Sequence, residues 1–263
     1  MTTLAPPPPN RSTSPRLPAP PLRNRFLVAA ALACLAATGL ALGLQSWLQT
    51  RPAQPVVCAV LFLAMIATAL MTMRDHHPHR RFGPANHVTL VRAMLTALMA
   101  SLLIEPAGAA IAWTVAAATT ASALLDGVDG WLARRTRMNS TFGARFDMET
   151  DAFFMFVLSA LVWRHDKAGL WVMAIGLMRY AFVAGGGVLP WLARPLRSTP
   201  RGKAVAVAQV VGLGLAILPV VPVPVSTLVC ALALAALVWS FAIDIRFLWR
   251  RRAISGASDA SGA

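Results

Sequence analysis

Eight apolar runs of about membrane length follow one another along this chain and constrain its fold more than any other feature. They lie at residues 26–48, 55–73, 88–104, 107–125, 148–163, 169–191, 204–220 and 225–248. An α-helix needs roughly 20 apolar residues to cross a bilayer. Only 13% of the residues are charged, against about 25% in soluble proteins. The sequence therefore predicts an all-α fold, a polytopic membrane helical bundle of about eight spans.

Basic residues cluster at alternate ends of these runs, whereas the connections between the clusters hold few charges. The clusters contain Arg11, Arg16, Arg23 and Arg25; Arg74, Arg80 and Arg81; Arg134, Arg135, Arg137 and Arg145; Arg194, Arg197, Arg201 and Lys203; and Arg246, Arg250, Arg251 and Arg252. Cytoplasmic connections are enriched in Lys and Arg, so we predict a cell-membrane protein with both termini in the cytoplasm. This topology, with attraction to anionic lipid, accounts for the net charge of +14, and no nucleic-acid partner is expected.

The N-terminal third of the chain and its C-terminal end differ in composition from the stretch between them. Residues 1–25 are rich in Pro, Ser and Arg, which predicts a disordered tail. Residues 26–83 hold two spans and a cytoplasmic linker. His76–His79 in that linker lacks helical ligand spacing and is interpreted as solvated rather than metal-binding. Residues 249–263 are predicted to form a basic, flexible C-terminal tail.

Five of the ten acidic residues fall within one stretch of 26 positions, residues 126–151. Acidic groups near membrane depth are costly, so such a cluster indicates a functional site. Helical spacing places most of them on two stripes that combine carboxylates with small residues. The first stripe comprises Asp126, Asp129, Gly130 and Ala133, and the second comprises Gly143, Asp147 and Asp151.

If the two stripes face each other, four carboxylates meet and repel one another. A hard divalent cation removes the repulsion, because Mg²⁺ binds carboxylate and phosphate oxygens. We therefore predict that two Mg²⁺ or Mn²⁺ ions bridge the carboxylates to a diphosphate. Arg134 is predicted to bind a phosphate oxygen of that diphosphate. Glu149 lies off the second stripe and is left outside the site. The competing interpretation is that these acids form interhelical salt bridges with nearby arginines.

The two stripes together resemble the signature of the CDP-alcohol phosphatidyltransferase family, D-x2-D-G-x2-A-R-x8-G-x3-D-x3-D, at every fixed position. Eight fixed residues arise by chance on the order of once in 10^10 start positions. Upstream, Asn86, Thr89 and Arg92 are similar to the N-x2-T-x2-R pattern that opens the first core helix of this family. The family core has six membrane helices, which implies a core at residues 84–248. The two spans before it have no counterpart there.

The resemblance implies a transferase of phospholipid biosynthesis. Asp126, Asp129 and Asp147 would hold metal ions on the diphosphate of a CDP-diacylglycerol-type lipid. Asp151 would be the general base and a further ligand, taking the proton of the acceptor hydroxyl as that oxygen attacks the lipid-linked phosphorus and CMP leaves. The pocket for the cytidine diphosphate would be formed by Gly130, Ala133, Arg134, Gly143, Asn86 and Thr89.

Basic residues of the sixth connection bear on the acceptor. Some family members bind phosphorylated acceptors, such as glycerol phosphate or inositol phosphate, on basic residues in this region. The candidates here are Arg194, Arg197, Arg201 and Lys203. Plain positive-inside charge explains the same residues, and inositol, serine or another small alcohol stays open. Arg179 is a further cation inside a predicted span and needs a partner.

Two other functions also place acids in membrane helices. An aspartate-rich membrane prenyltransferase uses Mg²⁺ and a diphosphate, but its carboxylates would come in two separated, similar motifs. A non-enzymatic divalent-metal transporter would place acids at the midplane in broken helices, whereas these acids lie at span ends. The sequence favours the transferase. The family often forms homodimers through membrane helices, so a homodimer is compatible with the resemblance.

Overall fold

A computed structural model describes residues 20–73, 84–136, 141–189, 191–192 and 199–260. Within these ranges the chain forms eight α-helices, two short 3-10 helices and no strand. The α-helices are α1 (Pro20–Leu48), α2 (Ala53–Met73), α3 (Pro84–Ser101), α4 (Ala109–Thr136), α5 (Thr141–Arg164), α6 (Met173–Val188), α7 (Pro200–Ala216) and α8 (Val223–Ala260). The predicted all-α, polytopic bundle is confirmed.

Six of the described helices are long and apolar enough to cross a membrane, namely α1, α2, α3, α4, α6 with the 3-10 turn before it, and α8. The other two helices, α5 and α7, were predicted as spans but are not among these six, for reasons visible in their sequences. The first half of α5 carries the acidic stripe, and α7 has only 17 residues. At 1.5 Å per residue α7 is about 26 Å long. That these two helices also cross the membrane stays a prediction.

Helices α1 and α8 extend beyond the apolar runs at the two ends of the chain. Helix α1 begins at Pro20, and proline is well suited to the first turn of a helix. Helix α8 continues past residue 248 to Ala260. Helical structure therefore reaches into both segments for which the sequence predicted tails, because the end of an apolar run marks the membrane boundary rather than the end of a helix.

Contacts between connections sort the bundle into two ends. The backbone N–H of Arg51, in the first connection, donates to Oε1 of Glu105, in the third, at 3.0 Å. Lys167, in the fifth connection, donates from Nζ to the carbonyl oxygens of Leu218 and Val221, in the seventh, at 2.8 and 2.6 Å. The first connection thus meets the third, and the fifth meets the seventh.

At the other end of α7 and α8, the sixth connection and the start of α7 contact α8. Arg201, at the start of α7, forms an ion pair with Asp244 in the last part of α8. Trp191, in the sixth connection, packs edge-on against Trp249, with ring centroids 5.4 Å apart. The two-ended arrangement agrees with the alternation of charge along the sequence.

Helix α3 lies between two clusters of buried apolar side chains. Met99 of α3 belongs to a cluster with Leu158 of α5 and Leu213 of α7. Ala93 and other residues of α3 belong to a second cluster, formed mainly with α1 and α2, that includes Phe62. The two N-terminal helices are therefore packed against α3.

Candidate functional site

Three carboxylates from two helices meet near the basic end of the bundle. Asp126 lies on α4, and Asp147 and Asp151 lie on α5; one oxygen of each is within 4.8 Å of the other two. Their side chains are 52, 37 and 45% exposed, respectively, so a ligand can reach them from outside. Helices α4 and α5 are consecutive and joined by residues 137–140, and this short connection lets Asp126 lie close to Asp147 and Asp151.

The neighbours of these carboxylates on α5 point elsewhere. The hydroxyl of Thr150 is buried and donates to the carbonyl of Phe146 at 2.8 Å. Glu149 forms an ion pair with Arg179 of α6 at 3.0 Å. The structure thus places Glu149 apart from the three carboxylates, as the helical spacing indicated. The same ion pair gives Arg179, a cation within α6, the partner that it needs.

Arg92 of α3 contacts all three carboxylates at once. Its Nη1 lies 3.0 Å from Oδ1 of Asp126 and 2.6 Å from Oδ1 of Asp147. Its Nη2 pairs with Oδ1 of Asp151. The side chain of Arg92 is only 4% exposed, so water screens these pairs less than it screens surface pairs. The interhelical salt bridging weighed as an alternative does occur, but with an arginine from another part of the chain.

Sequence reasoning missed this role of Arg92. The residue was noted as the last position of the N-x2-T-x2-R pattern and received no function. The signal was nevertheless present, because Arg92 lies inside the predicted span 88–104. An ionisable residue within a membrane helix indicates a functional site by itself; this argument holds for Arg92 as it does for the acids and for Arg179.

Asn86 and Thr89 lie on α3 six and three positions before Arg92, and both side chains are buried. The hydroxyl of Thr89 donates to the carbonyl of Ala85 at 3.2 Å within the same helix. The hydroxyl oxygen keeps the capacity to accept a hydrogen bond. These two residues therefore lie on the same helix as the arginine of the site, nearer to the start of α3.

Several predicted site residues fall partly or wholly outside the part of the chain that the structure describes. These are the side chains of Asp129, Ala133 and Arg134 on α4, and Arg194 and Arg197 in the sixth connection. Two predicted glycines are described, Gly130 one turn after Asp126 and Gly143 one turn before Asp147. Both are partly buried, so small residues flank the carboxylates on both helices.

The remaining predicted basic residues lie at the start of α7. The Oγ1 of Thr199 caps this helix by accepting a hydrogen bond from the backbone N–H of Gly202 at 3.1 Å. Arg201 pairs with Asp244, and its Cζ lies 5.8 Å from the ring centroid of Trp239. Lys203 is exposed. An anion that binds Arg201 would therefore share it with Asp244.

The three carboxylates fit a hard divalent cation. Oxygen ligands bound to one Mg²⁺ at 2.0–2.1 Å are separated by at most about 4.2 Å, so a slight closure of the three aspartates would suffice. An all-oxygen ligand set favours Mg²⁺ or Mn²⁺ over the metals that prefer imidazole or thiolate. The guanidinium of Arg92 shows that the three side chains already converge on one positive charge.

A known protein family accounts for the part of the chain that holds this site. The model of the family described as CDP-alcohol phosphatidyltransferase matches residues 82–240, well over half of the 263 residues. The matched stretch includes Arg92, the three carboxylates and both acidic stripes. No match was found among curated proteins or solved structures.

Proposed function

The chain belongs to the CDP-alcohol phosphatidyltransferase family, and on this premise we propose that it transfers a phosphatidyl group from a CDP-activated lipid to the hydroxyl of a small alcohol, releasing CMP. The observation that carries the proposal is the convergence of Asp126, Asp147 and Asp151 within the matched residues. Family membership favours this reaction over prenyl transfer and over metal transport.

The metal ligands in this proposal are Asp126, Asp129 and Asp147, joined by Asp151. Divalent cations are the usual cofactors of the family, and Mg²⁺ or Mn²⁺, when bound, neutralises charge on the donor diphosphate and on the departing nucleotide. The three carboxylates are partly exposed, so phosphate oxygens of the donor could reach an ion that they hold. The aspartates therefore bind and orient the donor.

Asp151 is the proposed general base. It lies one turn beyond Asp147 on α5, and its side chain is 45% exposed, so an acceptor hydroxyl can reach it. The carboxylate takes the proton of that hydroxyl while the oxygen forms a bond to the lipid-linked phosphorus. The bond between that phosphorus and the CMP oxygen breaks. A positioned base of this kind contributes about 10²–10⁴-fold to the rate.

The cytidine diphosphate is proposed to lie against the small residues beside the carboxylates. Gly130 and Ala133 on α4 and Gly143 on α5 leave room for a bulky ligand close to the helix backbones. Arg134 is the proposed contact to a phosphate oxygen, since a guanidinium matches phosphate geometry. Asn86 and Thr89, on the same helix as Arg92, are proposed to form the edge of this pocket.

The acceptor is proposed to be a small alcohol that carries a phosphate, such as glycerol phosphate or inositol phosphate. The supporting observation is that Arg201 and the exposed Lys203 lie together in the first turn of α7. Arg194 and Arg197 would complete the phosphate site. We propose that the protein lies in the cell membrane with the site and both termini on the cytoplasmic side, because basic and charge-poor connections alternate along the sequence.

The test is a reaction with purified protein, CDP-diacylglycerol and Mn²⁺, supplied with glycerol phosphate, inositol phosphate, inositol or serine in turn. We expect release of CMP in equal amount to a new phospholipid with one of the phosphorylated acceptors, and no reaction in the presence of a chelator. A preference for an unphosphorylated alcohol would overturn the acceptor assignment alone. Absence of CMP release with every acceptor, combined with metal uptake into vesicles, would favour a transporter.

A further inference from the structure

The guanidinium of Arg92 lies where a divalent cation would have to bind. It contacts Oδ1 of Asp126, Asp147 and Asp151, from two different helices. A metal ion needs the same three side chains at about 2.0–2.1 Å. The arginine and the metal ion therefore compete for these side chains.

We propose that Arg92 is a positioning residue that neutralises the three carboxylates in the metal-free protein and gives up contacts with them when a divalent cation binds. The inference rests on the metal site of the proposed function. Arg92 is thus a built-in competitor of the metal, which keeps the site assembled when no metal is bound and weakens its affinity for the metal.

The charges of the described site support this role. Three carboxylates and one guanidinium carry a formal charge of −2, which one divalent cation balances. Without Arg92, three negative groups within 4.8 Å of one another would repel and move apart. The arginine therefore preserves the arrangement of α4 and α5 in the absence of metal.

Burial prevents Arg92 from leaving the site completely. The side chain is 4% exposed, and the backbone carbonyl of Arg92 accepts a hydrogen bond from Thr96 at 2.8 Å within α3. Helix α3 is packed on both sides by the two apolar clusters. The displaced guanidinium consequently stays near the metal. Even at the dielectric constant of water, a unit charge about 6 Å from a divalent ion changes its affinity about tenfold.

The experiment measures Mn²⁺ affinity of the purified, chelator-stripped protein from the loss of the free-ion electron paramagnetic resonance signal. Arg92→Gln should bind Mn²⁺ about tenfold more tightly than the wild type. In chelator the variant should also unfold at a lower temperature than the wild type. Added Mn²⁺ should raise its unfolding temperature by more than it raises that of the wild type. Arg179→Gln is the matched control, because it breaks an ion pair to α5 on the side away from the three carboxylates. Its Mn²⁺ affinity should stay within about twofold of the wild type.

A conservative variant separates charge from shape and remains informative if Arg92→Gln does not fold. Arg92→Lys keeps the positive charge, so its Mn²⁺ affinity should stay within about threefold of the wild type. Unchanged or weaker binding by Arg92→Gln, or a tenfold gain in Arg92→Lys, overturns the inference. Failure of the wild type to bind Mn²⁺ is a different result, because it removes the metal site of the proposed function.

Discussion

Arg92 and Asp147 are 55 positions apart in the sequence, and Nη1 of the arginine lies 2.6 Å from Oδ1 of the aspartate. This contact joins α3 to α5 on the face that also receives Asp126 from α4. The geometry of the carboxylates therefore depends on how α3 is packed. Because α1 and α2 contribute to the packing of α3, these two helices, which precede the residues matched by the family, support the site from a distance.

The assignment of the general base is tested by Asp151→Asn. This variant should lower the rate of CMP release by about 10²–10⁴-fold, since the amide cannot take the proton of the acceptor. Binding of the CDP-lipid should largely survive, because Asp126 and Asp147 remain as ligands. Both quantities are measured on the same preparation, turnover by CMP release and binding with labelled CDP-diacylglycerol.

The control for this variant lies on the same helix. Glu149→Gln removes a carboxylate of α5 that pairs with Arg179 rather than with Arg92, and its turnover should stay close to that of the wild type. If Asp151→Asn keeps near-normal turnover, the base assignment is wrong. If both variants lose turnover equally, the effect comes from the stability of α5.

Local periodicity predicted which acids share a helix face, whereas it could not predict the cation that contacts them. Asp147 and Asp151 share a face of any helix that contains both, and a short connection brings α4 and α5 side by side. The position of Arg92 depends instead on a contact across 55 residues, which no spacing rule encodes. The pairing of Arg201 with Asp244, across 43 residues, escaped prediction for the same reason.

Hydropathy predicted the helices better than it predicted their ends. The apolar run 26–48 coincides with the membrane-length part of α1, Phe26–Leu48, yet the helix begins at Pro20. The arginines on both extensions can continue a helix beyond the bilayer, because arginine has good helix propensity. Helix α5 is long enough to cross a membrane but is not among the six apolar helices, because its carboxylates reduce its hydropathy.

The attachment of the N-terminal helices is tested at Glu105. This side chain is 3% exposed and accepts the backbone N–H of Arg51, and the buried Gln54 donates to Ser101 at 2.7 Å beside it. Glu105→Ala leaves the N–H of Arg51 without its acceptor, which should cost about 1–3 kcal/mol in free energy of unfolding. Glu105→Gln keeps an oxygen at the acceptor position and should be close to the wild type.

Thermal unfolding of both variants in the same detergent provides the measurement. Equal unfolding temperatures for Glu105→Ala and Glu105→Gln would show that the contact between the first and third connections contributes nothing to stability. The N-terminal helices would then be held against α3 by the buried apolar cluster alone.

The pH dependence of stability is tested at His165, which follows the end of α5. Burial lowers the pKa of His165 below its usual range, and the nearby charges of Arg164 and Lys167 lower it further. The unfolded chain then binds more protons than the folded one as the pH falls below about 6.5. Stability should therefore be fully present at pH 7.5 and decrease toward pH 5.

Comparison with His165→Gln isolates this contribution from those of other groups. The difference in unfolding temperature between pH 7.5 and pH 5 should be smaller in the variant than in the wild type. An identical dependence on pH in the two proteins would contradict the lowered pKa.

The close approach of α5 and α6 is tested at Gly176. A Cβ atom at this position would lie 2.4 Å from Cα of Phe156 and 3.0 Å from its backbone nitrogen. Backbone atoms of α5 cannot move aside as a flexible side chain does, so Gly176→Ala should force the two helices apart. The expected cost is about 1–3 kcal/mol in free energy of unfolding, with reduced CMP release because α5 carries Asp147 and Asp151.

Gly187 provides the matched comparison on the same helix, because a Cβ there meets nothing within 4 Å. Gly187→Ala should leave the unfolding temperature unchanged or raise it slightly, since alanine favours the helix by up to about 1 kcal/mol over glycine. The two variants should therefore differ in unfolding temperature, since only Gly176→Ala should lower it. If Gly176→Ala is as stable as Gly187→Ala, α5 and α6 are farther apart than this structure places them, and the orientation of the carboxylates on α5 would have to be reconsidered with them.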